Sequence, residues 1–316
     1  MSRPELFRRY EANPIVAAAD LPHTVNAVFN PGAVEFEGRT LLLLRVEHRT
    51  GISSLVVATS ENGFTGWEID AARGLEPDTD SLHERWGIED PRITLIGDEY
   101  HIVYTAFSAF GPMVSLAKTR DFVTFERLGV LQPPEDKDAA LFPSTFGGRW
   151  ALLHRPAPAM AGLGRHVWLS FSPDLHHWGD AQVLLAARKG GAWDANHIGL
   201  GPPPMLTRDG WLLCYHGVRQ TASGALYRLG LALLDRDDPT TVIARGSEWI
   251  LGPHYPYEQF GDVPGAIFPC GWILRDDGDT VHLYYGGADS VTCVAEASLS
   301  ELLSHLEGHH GPPEMS

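Results

Sequence analysis

The sequence predicts an all-β protein, a five-bladed β-propeller. Three observations predict it. A unit of proline, short half-apolar run, Gly/Asp turn and second β-rich run occurs five times. The turns recur about 60 residues apart. Long helical periodicity is absent apart from "SLSELLSHL" near the end. Four short strands repeated radially make a propeller blade, and five such units fill 316 residues. A β-sandwich would also give many short strands, but the fivefold Pro–strand–turn–strand order favours the propeller.

The units follow in order. The first is "FNPGAVEFEGRTLLLLRV", turning at Glu37-Gly38. The second is "EDPRITLIGDEYHIVYTAF", turning at Gly97-Asp98. The third is "LFPSTFGGRWALLHRP", turning at Gly147-Gly148. The fourth is "GPPPMLTRDGWLLCYHG", turning at Asp209-Gly210. The fifth is "IFPCGWILRDDGDTVHLYYGG", turning at Asp277-Gly278. Gly and Asp supply the positive φ that tight hairpins need. A third run ending in small residues follows in most copies: "SLVVATS", "VSLAKTRDF", "VWLSFSPDL", "LGLALLDRDDP" and "TCVAEASLSEL". Three of these continue to an aromatic, Trp67, Phe125 or Trp178. A single domain over 1–316 is expected, with 305–316 as a flexible tail.

Composition narrows the function. At 44% hydrophobic residues the chain can bury a large core. A net charge of −16 argues against nucleic acid and anionic membranes while leaving room for a local basic pocket. Cys214, Cys270 and Cys293 are far apart, form no CxxC and read as buried reduced thiols. No signal peptide or membrane-spanning run is visible, and a cytoplasmic location is expected. His176-His177 reads as a solvated turn and His309-His310 as frayed tail, so no metal is expected. The sequence carries no interface signal, and a homo-oligomer stays open.

The innermost strand of each blade lines the axis, so its entry faces the axial funnel. The expected entries are Asn30, Asp90, Ser144, His197 and Asp262. "WGIEDPRIT" places Glu89-Asp90 directly before Pro91, which fixes the chain direction and aims the acids. An Asx turn is the bland alternative. Arg45 ends "LLLLR" and Arg155 ends "ALLHR"; a guanidinium closing an apolar strand needs an anionic partner. Lys137 and Asp138, Asn196 and His197, and Tyr284, Tyr285 and Asp289 add further polar groups. Carboxylates, amides and aromatics suit a sugar, whereas Arg45, Lys137, Arg155 and His197 suit a compact anion. A sugar site beside a phosphate site suggests phosphorolysis of a glycosidic bond.

In order along the chain, "WGIEDPRIT", "YTAFS", "LFP", "ALLHRP", "HIGLGPPP", "GDVPGAIFPCG" and "YYGGADS" resemble glycoside hydrolase family 130, from about Asn13 to about Ser298. The resemblance implies a five-bladed propeller acting on β-mannosides with inversion, releasing α-mannose 1-phosphate. The general acid it implies is Asp90, protonating the leaving oxygen through a hydroxyl of the bound mannose. The sugar-binding set is Asn30, Glu89, Tyr104, Asp138, Tyr215, Asp262 and Asp289, and the phosphate-binding set is Arg45, Lys137, Arg155 and His197. No cofactor is implied; inorganic phosphate is the co-substrate and an oligosaccharide the partner. A β-mannosidase using water and a non-catalytic carbohydrate-binding propeller are the alternatives. The chain departs from the family's usual residues at Glu135-Asp136, Ser144-Thr145 and Gly265; the first two changes are expected to remove cationic or polar character near the anion pocket. Loops 70–86, 157–165 and 219–226 are expected to set linkage and aglycone.

Overall fold

The computed structural model describes residues 5–158 and 164–309. A short strand β1 (Arg8–Arg9) comes first. The first blade is β2 (Val25–Phe36), β3 (Arg39–His48), β4 (Ser53–Ser60) and β5 (Glu68–Leu75). The second is β6 (Ile88–Ile96), β7 (Glu99–Ser108), β8 (Gly111–Thr119) and β9 (Glu126–Gln132). The third is β10 (Asp136–Phe146), β11 (Arg149–Pro156), β12 (Val167–Ser172) and β13 (Gly179–Leu185). The fourth is β14 (His197–Leu200), β15 (Met205–Thr207), β16 (Gly210–Thr221), β17 (Gly224–Leu234) and β18 (Val242–Arg245). Next come α1 (Pro256–Gln259), then the fifth blade β19 (Ile267–Leu274), β20 (Thr280–Gly287) and β21 (Val291–Ser298), and last α2 (Leu299–Leu306).

Each blade is an antiparallel sheet, so the five-bladed propeller holds. The fifth blade corrects the sequence expectation in one respect. Its outermost strand is β1, paired with β21 through Arg8–Glu296 and Arg9–Ala295. The N-terminus thereby closes the ring, and the edge that β21 would expose is covered. Hydrogen bonds from Tyr10 and Asn13 to Val294 extend the seam.

The core consists of five apolar clusters, each filling the wedge between two neighbouring blades. This explains the uninterrupted run Leu41–Leu44, all four fully buried. Leu42 and Leu44 face the fifth blade, and Leu41 and Leu43 face the second. A strand covered on both faces needs no polar alternation. Fully burying each leucine is worth about 1.5–3 kcal/mol, so this strand anchors two interfaces at once.

On one face, the turns before the outer strands repeat a device. Asn62, Asp121, Asp174 and Asp235 each accept backbone N–H bonds two and three residues on. These are the Asx turns the polar clusters signal. The expected tail begins inside α2: Leu306 is buried, Ser298 caps the helix by accepting from the Glu301 amide, and residues 310–316 lie outside the described residues. Among the described residues no helix is long and apolar enough to cross a membrane.

Candidate active site

One local device, repeated in three blades, builds the site. In β2, β6 and β10 the pairing with the next strand slips between Phe29 and Gly32, between Glu89 and Arg92, and between Lys137 and Ala140. Each slip contains a residue in the left-handed region: Asn30 at φ 46°, Asp90 at φ 52° and Asp138 at φ 54°. Asn and Asp tolerate that conformation best among residues with a Cβ, and a bulge re-aims the side chain it carries. The three inner strands thus direct an amide and two carboxylates into one cluster, where they are buried to 1%, 1% and 0% exposure. The entry of the third blade is therefore Asp138. Ser144 and Thr145 lie at the far end of β10, beside the Gly147-Gly148 turn, away from the anion-binding candidates.

Asp90 is held through one oxygen. Its Oδ1 accepts from Asn30 Nδ2 at 2.9 Å and from Arg45 Nη1 at 2.9 Å. Its Oδ2 faces the Lys137 ammonium at 3.8 Å, beyond hydrogen-bond reach. Burial alone would push this carboxyl up, but Arg45, Lys137, Arg92 and the Asn30 hydrogen bond outweigh it and leave it below its usual value. The neighbouring Glu89 carboxylate is tied to Arg45 Nη2 at 3.0 Å. Asp289, on the β20–β21 turn, is pushed up to about 6 by burial and by the charge of Asp90.

Asp138 is the anionic hub of the other half. Arg155 Nε donates to its Oδ2 at 2.6 Å, and His216 Nε2 lies 3.5 Å from the same oxygen. Burial opposes its charge, yet Arg155, His216, Lys137 and Arg92 hold the carboxyl well below the usual range. His197 stands at the head of β14, its ring 6.5 Å from His216 and 5.9 Å from Tyr227. Burial and then the Arg155 charge lower His197 to about 4, so it is neutral at pH 7. Asn30 Oδ1, Asp138 Oδ1, Arg155 Nη1 and His216 Nδ1 are buried with no hydrogen-bond partner among the described residues. Four such atoms in one cluster mark where a polar ligand fits, because a buried polar atom left unpaired is costly.

The expected residues divide by position. Asn30, Arg45, Glu89, Asp90, Lys137, Asp138, Arg155, His197 and Asp289 share one electrostatic cluster, each hydrogen-bonded to, paired with or shifting another. Arg45 spends its donors on Ser53, Asp90 and Glu89, so it holds acids rather than standing free for an anion. Tyr104 does not join the cluster: it is 2% exposed, and its hydroxyl donates to Glu84, which Arg127 also pairs. Tyr215 is likewise fully buried, bonded to Asp194 and Arg245 between the third and fourth blades. Tyr284 and Tyr285 donate to Gly63 O and to Glu258. Both lie on β20, which is covered on both faces, so one hydroxyl reaches the first blade and the other reaches α1. Asp262 is exposed on the loop before β19, its amide donating to Ser290 Oγ beside the Asp289 turn. Of loop 157–165, residues 159–163 lie outside the described residues.

Sequence reasoning missed Arg92 and His216. Arg92 is 1% exposed and crosses the axis, donating to Gly201 O, Leu200 O and Asp90 O, with Asp138 Oδ1 at 4.0 Å. An arginine inside a strand buried on both faces was the available signal. Gly286 and Gly199 are part of the same construction. A Cβ at Gly286 would lie 2.0 Å from Asn30 Oδ1, and one at Gly199 would lie 2.2 Å from Asp138 Oδ2.

Fold and site together define a class: a five-bladed propeller enzyme whose inner-strand bulges gather carboxylates against arginine, lysine and imidazole. The family model described as beta-1,4-mannooligosaccharide phosphorylase matches residues 2–308, and the chain belongs to that family, glycoside hydrolase family 130. It is 32% identical to a beta-1,2-mannobiose phosphorylase of Listeria innocua, across 95% of this chain and 98% of that protein. It is 30% identical to a beta-1,4-mannooligosaccharide phosphorylase of Ruminococcus albus, across 96% and 92%. The solved Listeria innocua enzyme in complex with beta-1,2-mannobiose superposes with a TM-score of 0.86 over 95% of this chain and 99% of its own.

Proposed function

We propose that this enzyme cleaves a β-linked mannoside with inorganic phosphate, inverting the anomeric centre to give α-mannose 1-phosphate. The observation that carries this reading is the pairing of a single-oxygen-held Asp90 with a cationic group, Lys137 and Arg155, that keeps a guanidinium nitrogen without a hydrogen-bond partner among the described residues. Asp90 acts as the general acid, delivering its proton to the leaving oxygen through a hydroxyl of the bound mannose. Lys137, Arg155 and neutral His197 take the phosphate. Asn30 and Asp289 take sugar hydroxyls.

The physical argument turns on the nucleophile. An inverting hydrolase needs a carboxylate base to activate water opposite the acid. Phosphate is already a nucleophile, so cations replace the base. Glu89 and Asp138 are committed to Arg45 and Arg155, which suits them to electrostatic scaffolding rather than proton abstraction. The named relatives of both linkage types are phosphorylases, which supports the same reading.

The test is product analysis with β-1,2- and β-1,4-mannobiose, with and without phosphate, read by phosphorus NMR. A sugar phosphate formed only with phosphate is expected, and the better substrate gives the linkage. Free mannose released at the same rate in phosphate-free buffer would replace phosphorolysis with hydrolysis.

A further inference from the structure

A general acid must carry a proton, yet the groups around Asp90 hold it as a carboxylate. Those groups come from every element packed against it. On its own strand are Glu89, which Arg45 neutralises, and Arg92, whose Nη1 donates to the Asp90 carbonyl. From β2 comes Asn30 and from β3 Arg45, both on Oδ1. From the β20–β21 turn comes Asp289, a half-buried carboxyl. From β19 comes Cys270, a buried thiol that burial keeps protonated. From β10 comes Lys137, the cation that faces Oδ2.

The geometry separates the two oxygens. Oδ1 is fixed by an amide and a guanidinium. Oδ2 has the ammonium at 3.8 Å, on a side chain that is 28% exposed. Lys137 is also within electrostatic reach of Asp138 and Arg155, the half of the site where Arg155 Nη1 lacks a partner among the described residues. One cation therefore lies between the two halves of the site, facing Asp90 and within electrostatic reach of Asp138.

We propose that bound phosphate draws the Lys137 ammonium off Asp90 Oδ2, so that phosphate binding itself loads Asp90 with the proton that the next step consumes. Lys137 is then a positioning residue as well as a phosphate ligand. This rests on the phosphorolysis reading. Approach of an anion and retreat of a cation act in one direction, both favouring the neutral carboxylic acid. The leaving oxygen then meets a protonated acid only when the nucleophile is in place, which suppresses cleavage without phosphate.

The step balances. Asp90 takes one proton from solvent as hydrogen phosphate binds. The C1–O bond to the aglycone breaks with its electron pair on the aglycone oxygen, which gains the Asp90 proton through the mannose hydroxyl. A phosphate oxygen forms the new C1–O bond with its own pair. The phosphate's remaining proton returns to solvent as the monoester becomes a dianion, and Asp90 is again a carboxylate.

The test is calorimetric titration of inorganic phosphate at pH 7 in buffers of low and high ionisation enthalpy, using wild type, Asp90→Asn and Lys137→Gln. Protonation of His197 or of phosphate itself is common to wild type and Asp90→Asn and cancels in their difference. Wild type is expected to take up about one proton more per phosphate than Asp90→Asn, with the excess reduced in Lys137→Gln. Equal uptake by wild type and Asp90→Asn overturns the proposal while leaving phosphorolysis intact. No binding of phosphate to wild type overturns both readings. An independent readout is the alkaline limb of kcat/KM for the mannoside in wild type. It should move up by about four pH units or more as phosphate rises to saturation, the rise that uptake of about one proton at pH 7 requires. A limb that ignores phosphate concentration overturns the proposal even if Asp90→Asn does not fold.

Discussion

Replacing Asp90 by Asn separates chemistry from architecture in one substitution. The side chains are nearly isosteric, and the new amide's carbonyl oxygen, placed at the Oδ1 position, keeps the bonds from Asn30 and Arg45, each 2.9 Å in the native enzyme. Arg45 retains Glu89 at 3.0 Å, so its guanidinium is not stranded. The left-handed backbone at φ 52° is one that Asn adopts readily. The fold should therefore change by less than about 1 kcal/mol, while the transferable proton disappears. Loss of a general acid costs a factor of about 10² to 10⁴, or about 2.7 to 5.5 kcal/mol of transition-state stabilisation. The assay compares kcat for mannobiose with kcat for an aryl β-mannoside whose leaving group departs without a proton, both with saturating phosphate. Mannobiose turnover should fall by the full factor and aryl mannoside turnover by little. Equal losses on both substrates, or a mannobiose rate within about threefold of wild type, would refute Asp90 as the acid.

Other substitutions and conditions probe the supporting construction. Gly286→Ala puts a methyl 2.0 Å from Asn30 Oδ1 and should break the Asn30–Asp90 hydrogen bond; kcat should drop by about tenfold or more, and Asn30→Ala should reproduce the kinetic loss with less effect on the melting temperature. Arg155→Met removes the 2.6 Å partner of fully buried Asp138, and urea denaturation should show a loss of about 3 kcal/mol together with a raised KM for phosphate. Stability should also fall on acidification from pH 7 to pH 5. Burial holds His197 near 4 and His216 near 3 in the folded state, against 6.5 for the ordinary imidazole. The unfolded chain then takes up protons that the folded one refuses, costing about 2 kcal/mol per imidazole by pH 5; Asp289, held near 6, returns part of it. A denaturation midpoint that stays flat or rises over that interval would contradict the neutral-imidazole assignment.

Much of this was legible in the chain. The Gly/Asp turns and the β-rich runs between them are local signals, and these are found where they were read. The Asp90 motif was legible because Pro91 directly after it fixes the chain direction, a local signal. Asp138 shows the limit. "KDAA" has no proline, so the third entry was placed at Ser144, at the wrong end of a strand whose two ends look equally polar in sequence. Tyr104 and Tyr215 show another limit. Both sit in strands near site residues, but in a blade packed on both faces successive side chains point to different neighbours, and one residue's shift in parity moves a hydroxyl from site to core.

The sequence by itself determined the repeat, the strand-forming runs, the turn positions and the chemical inventory of acids and cations, because these follow from short-range sterics and hydrophobic patterning. Tertiary structure decided which of those groups meet. Closure of the ring by β1 on β21, the passage of Arg92 from the second blade to carbonyls of the fourth, and the division of Asp90 into a held oxygen and one facing Lys137 all join residues far apart in the chain. Their cause is the shared hub, where inner strands of different blades come within hydrogen-bond distance and burial amplifies each charge on the next.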